Sequence, residues 1–204
     1  MQLSRSKSIL LSTLFALSGL VHAQNMQVIG SNSFAQECYR SSTAAALANS
    51  ASRNDLESCT RALQHSDMRR SDVIATYINR GVINVAMQNF DAAANDYNKA
   101  IDMNETIPAA YVNRGNLWFI TNRLAAAISD YDRALELNFS QPYIAILNRG
   151  LVKEAQGELL DAQQDYLAAL ELKPDWNTAQ EKLARVNKKL VQREQAENQA
   201  AQPE

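Results

Sequence analysis

The side chains able to do chemistry are few, and their spacing limits what they can do. His22 and His65 are the two histidines in 204 residues, and His22 lies in an N-terminal stretch that reads as removable. A multi-histidine metal site then has no material, nor does a Ser-His-Asp triad needing a second His. His65 would carry any imidazole chemistry alone, and it falls in a polar turn before Asp72, where a solvated loop histidine is expected rather than a base. Cys38 and Cys59 are the two cysteines, far apart in the chain. A redox catalyst places its pair close together in a Cys-x-x-Cys motif, so these read as a structural bridge in an oxidising compartment. Glu136 and Glu171 recur at equivalent surface positions, which marks solvated faces rather than a catalytic pair. No glycine-rich phosphate loop and no Cys/His metal spacing is found. The expectation is a protein with no catalytic residues, no metal and no cofactor.

One charged motif does recur. Asn79-Arg80-Gly81 is repeated as Asn113-Arg114-Gly115 and as Asn148-Arg149-Gly150. Each arginine is followed at one constant offset by an aspartate, in the pairs Arg80 and Asp96, Arg114 and Asp130, Arg149 and Asp165. A ladder of anion-binding arginines would not require the aspartates. A charge-assisted bond tying two facing helices explains why both recur together, so these are read as structural ion pairs.

Further columns keep the same register. Tyr97, Tyr131 and Tyr166 each follow an Asp, and Ala93, Ala127 and Ala162 follow Gly81, Gly115 and Gly150 at one fixed offset. Ala100, Ala134 and Ala169 complete the pattern. The step from Gly115 to Gly150 exceeds that from Gly81 to Gly115 by a single position, which falls in the Asn138–Tyr143 turn. Gly inside a helix costs about 1 kcal/mol relative to Ala. Its recurrence implies close approach of a neighbouring helix. Ala93, Ala127 and Ala162 are the expected small partners, with the tyrosines filling the space between repeats.

These columns resemble the tetratricopeptide repeat family, over residues 73–174. Tyr77 and Tyr111 match its first-helix aromatic, which Ile146 lacks, and Pro174 matches its closing proline. The arginine before each Gly departs from the family's more usual Leu. The resemblance implies an all-α fold, a right-handed α-solenoid of antiparallel helix pairs, whose first helices line an inner face. Three repeats are expected at 73–106, 107–141 and 142–174. A divergent hairpin over 37–72 precedes them, with Cys59 at the tyrosine position and Thr43 in place of the Gly. Residues 24–36 read as an extended lead-in, 175–193 as an amphipathic capping helix, and 194–204 as a disordered tail.

The inner face is the candidate binding surface. Its expected lining is Ile78, Val82 and Val85, then Val112, Asn116 and Phe119, then Ile144, Leu147, Leu151 and Glu154. Family members that grip a peptide's terminal carboxylate use Lys, Arg and Asn there, whereas this face is largely aliphatic. An exposed apolar channel of this kind points to an unidentified protein or peptide partner. The alternatives are that the chain's own N-terminal segment, with Val28, Ile29 and Phe34, covers it, or that a second copy does in a homo-oligomer.

Composition and the first residues set the location. Arg5 and Lys7 open a stretch that is apolar from Ile9 to Leu20 and ends on Ala23, the layout of a cleaved signal peptide over 1–23. The stretch is too short and too interrupted, at Ser12, Ser18 and Gly19, to span a bilayer. The periplasm is the expected compartment, with secretion to the medium second. A formal charge of −2 argues against a nucleic-acid binder, which needs a concentrated basic surface. The basic stripe after Pro174 is read as part of a cap rather than a membrane contact.

Overall fold

A computed structural model describes residues 24, 26–28, 32–65 and 67–200. The expected signal peptide lies outside the described residues, as do residues 201–204. Among the described residues the structure has nine helices and no strand, and helix pairs that pack consecutively, the α-solenoid class. The described residues fall into two compact units, divided between Leu137 and Asn138.

The first unit holds α1 (Ser33–Ala48), α2 (Arg53–Gln64), α3 (Arg70–Ala86), α4 (Phe90–Met103), α5 (Pro108–Ile120) and α6 (Leu124–Glu136). Each odd-numbered helix packs on the even-numbered one that follows, and α1, α3 and α5 also pack side by side. The second unit holds α7 (Pro142–Gln156), α8 (Leu159–Leu172) and α9 (Asn177–Ala200), with α8 packed on both neighbours.

Local chemistry sets the boundaries. Asn32 caps α1 through a bond from the Ala35 N–H at 3.0 Å, and Ser52 with Asp55 forms a capping box at the start of α2. Pro108 and Pro142 open α5 and α7, where a missing N–H removes no helical bond. The turn inside each repeat uses one device. Gln88, Asn122 and Gly157 take the left-handed conformation, with φ of 62°, 61° and 82°. The next amide then reaches back to close the helix, Asn89 to Asn84, Arg123 to Trp118 and Glu158 to Lys153.

Two expected boundaries move. The lead-in over 24–36 is helical from Ser33 onward, because the Asn32 cap starts α1 there. The C-terminal helix does not stop at 193. It runs to Ala200 through good helix formers, with Arg193 bonded to Glu197 one turn on.

Candidate functional site

The three Arg–Asp pairs each bridge the two helices of one hairpin. Arg80 Nε and Nη2 donate to Asp96 Oδ2 and Oδ1 at 3.0 and 2.6 Å. Arg114 makes the same fork on Asp130 at 2.8 and 2.7 Å, and Arg149 on Asp165 at 3.0 and 2.6 Å. The aspartates are buried while the arginines keep a fifth of their surface in water, so the long side chain closes the hairpin from outside. Asp130 bonding holds the Arg114 guanidinium above its ordinary pKa despite burial. Tyr77 and Tyr111 lie under Arg80 and Arg114 at 5.5 Å from ring centre to guanidinium carbon. Where Ile146 replaces that aromatic, Lys153 joins Asp165 at 2.8 Å instead. In each arginine the Nε–Nη2 edge of the guanidinium is committed to the aspartate of its own hairpin.

The nearest neighbour of each of these glycines is a tyrosine ring. A Cβ built on Gly115 would lie 2.8 Å from Tyr131 Cε1, and one on Gly150 would lie 2.8 Å from Tyr166 Cε1. Gly81 meets Tyr97 in the same way. The alanines expected as the complementary surface, Ala93, Ala127 and Ala162, are fully buried. Each tyrosine reaches across its own hairpin to fill the space that the glycine leaves open. Burial, with Asp96 and Asp130 adjacent, pushes the Tyr97 and Tyr131 phenols far above their ordinary pKa.

The aliphatic lining expected to be an exposed channel is buried. Ile78, Val112 and Leu147 are 0% exposed, and Val82, Phe119, Ile144 and Leu151 no more than 6%. Val85 is half-buried against Tyr97 and Leu117. The two polar members are engaged internally. Asn116 accepts the Tyr131 hydroxyl at 2.8 Å. Glu154 accepts the Tyr166 hydroxyl at 2.7 Å, Arg185 at 2.6 Å and Lys189 at 2.8 Å. Burial opposes ionisation of Glu154, but the bonds from Arg185, Lys189 and Tyr166 outweigh it and hold the carboxyl below its usual range.

What the first unit presents instead is a pair of asparagines from the recurring triplets. Asn79 Nδ2 donates to the Met26 carbonyl at 2.7 Å, and Asn79 Oδ1 accepts the Met26 N–H at 2.9 Å. Asn113 repeats this on Gln24, at 2.6 Å to the carbonyl and 2.8 Å from the N–H. Both asparagines are buried on the first-helix face, on α3 and α5. Sequence reasoning attends to the arginine of each triplet and leaves the asparagine unexplained. Its recurrence without a recurring partner is the available signal, because the bonds it makes are to backbone atoms, which carry no residue identity.

Cys38 and Cys59 are joined as a disulfide with Cα atoms 4.7 Å apart, packed against Ala45 and Ile83. His65 ends α2 and stacks on Phe34 at 5.5 Å. Among the described residues no group of three or more His, Cys, Asp or Glu side chains is arranged to hold a metal. Among them, too, no helix is long and apolar enough to cross a membrane.

Residues 79–142 match the tetratricopeptide repeat family, which supports that family for the repeats. The chain is similar to the solved first tetratricopeptide domain of Spaghetti (RPAP3) bound to the HSP90 peptide SRMEEVD. Identity is 27% and the TM-score 0.55, covering 58% of this chain and 93% of that one. It is also similar to the solution structure of the first such domain of human RPAP3, at 27% identity and a TM-score of 0.56, covering 60% of this chain and 95% of that one. No curated protein sequence matches the chain. Domains of this family are protein–protein interaction scaffolds and are generally non-catalytic.

Proposed function

We propose that the protein is a non-catalytic scaffold of the periplasm that holds an extended segment of another polypeptide on the first-helix face of its first unit. The observation that carries this reading is the pair of asparagine amides, Asn79 and Asn113, each bonded to both main-chain groups of one residue. Buried amides aimed at a backbone bind polypeptide without demanding a particular sequence. The similar RPAP3 domain holding an HSP90 peptide supports a peptide as the ligand class. Export is supported by the layout of residues 1–23 and by a cysteine pair suited to an oxidising compartment.

Chemical crosslinking in living cells, read by mass spectrometry, tests the reading. Links from α3 and α5 to a foreign protein are expected, reduced by Asn113→Ala with helix content unchanged. Links only to further copies of this chain, with a dimer in sedimentation, would replace it with a self-associating structural protein of the cell envelope.

A further inference from the structure

Asn79 and Asn113 stand at the same place in consecutive first helices, α3 and α5, and they grip alternate residues, Met26 and Gln24, of the segment 24–28. In an extended chain the N–H and C=O of one residue point to the same side, and residues i and i+2 share that side. The two amides therefore face Gln24 and Met26 as a neighbouring strand would. All four bonds go to main-chain atoms, so this part of the contact is indifferent to side chains. Side-chain choice enters at the fifth position. Val28 is 6% exposed and packs with Ala35, Ala62 and Ala75, while Gln27 between the gripped and buried positions is exposed. Another extended segment with an aliphatic fifth residue would make the same contacts.

The segment is also tethered closely. Only residues 29–32 separate Val28 from the start of α1 at Ser33. A short tether holds a ligand at an effective concentration on the millimolar scale. A foreign segment of equal intrinsic affinity competes poorly against it.

We propose that residues 24–28 are an intramolecular ligand of the Asn79–Asn113 face. A foreign extended segment with an aliphatic fifth residue then binds there only by displacing them. This rests on the peptide-holding reading above and adds its regulation: the scaffold is closed until the N-terminal segment leaves.

The probe is a fluorescent synthetic peptide with the sequence of residues 24–31, titrated by polarisation against the whole chain and against a whole-chain variant with Met26→Pro and Val28→Asp. Proline removes the N–H that Asn79 accepts, and aspartate would bury an unpaired charge. The variant is expected to bind the probe at least about tenfold more tightly than the unaltered chain. Adding Asn113→Ala to the variant should weaken binding by about tenfold, since two hydrogen bonds are lost. Equal affinity of the unaltered and variant chains overturns the proposal. If the variant loses helix content, hydrogen exchange on the unaltered chain decides. Protection of the Met26 amide that Asn79→Ala removes supports the proposal, and exchange at the rate of a free peptide overturns it. A monomer in sedimentation supports an intramolecular ligand, whereas a dimer dispersed by the Met26→Pro and Val28→Asp variant places a second copy's segment in the site and overturns it. The two readings fail separately. Probe binding gated by the segment, with no foreign protein crosslinked in cells, retires the scaffold and keeps the intramolecular ligand. Ungated probe binding with a foreign partner crosslinked does the reverse.

Discussion

The hairpin of α1 and α2 and the hairpin of α5 and α6 share an architecture but are held together by different chemistry. In the second, Gly115 admits the Tyr131 ring and Arg114 forks onto Asp130. In the first, Thr43 takes the Gly position and Cys59 the Tyr position, and a bond from Cys59 to Cys38 joins the helices. A covalent link needs no notch and no large ring. It acts mainly by restricting the unfolded chain, whereas the notch and the ion pair act within the folded state. A repeat position can therefore change its residue and keep its job, here the closure of one hairpin.

The largest effect should come from breaking the folded-state lock. Arg114→Ala leaves Asp130 buried beside Tyr131 without its cation, and about 3 kcal/mol or more of stability should be lost, read by urea unfolding. An unchanged urea midpoint would show that the pair contributes nothing to closure. Cys59→Ser should lose about 3 kcal/mol, expected for opening a loop with a sequence separation of 21. Hydrogen exchange should then rise chiefly in α1 and α2, and an even rise across α3 to α6 would mean the two hairpins are not independent in this sense. Gly115→Ala should destabilise by about 1–2 kcal/mol, because the Tyr131 clash outweighs the helix propensity that Ala gains. A more stable variant would mean that Tyr131 shifts freely.

The smallest effect is in the second unit. Glu154 has its pKa lowered in the folded protein, so its stability contribution is present above the ordinary value of 4.5 and is lost as pH falls below it. Glu154→Gln should flatten the acid limb of the stability curve below the ordinary value of 4.5, and an unaltered limb would assign acid sensitivity elsewhere.

Much of this is legible in the sequence because the repeat writes each contact three times. Arg80 with Asp96, Arg114 with Asp130 and Arg149 with Asp165 can be paired from a constant offset, without coordinates. The cysteines carry the same kind of information once Cys59 is aligned with the tyrosines. Which face of the first helix meets solvent cannot be read this way. Ile78, Val112 and Leu147 are expected on an exposed channel, yet they are fully buried, since periodicity marks a face as apolar without saying what lies on it. Glu154 is expected on that channel too, because its partners Arg185 and Lys189 lie on α9, outside the repeat.

Composition and spacing along one chain were enough to establish the helix-pair repeat, its period, and how few histidines and cysteines the chain carries. Folding in three dimensions was needed to set Gln24 and Met26 against Asn113 and Asn79, 89 and 53 residues away. Those bonds join a side-chain amide to main-chain atoms that every residue possesses. No pattern of residue types could announce them, and only the folded chain brings them within reach.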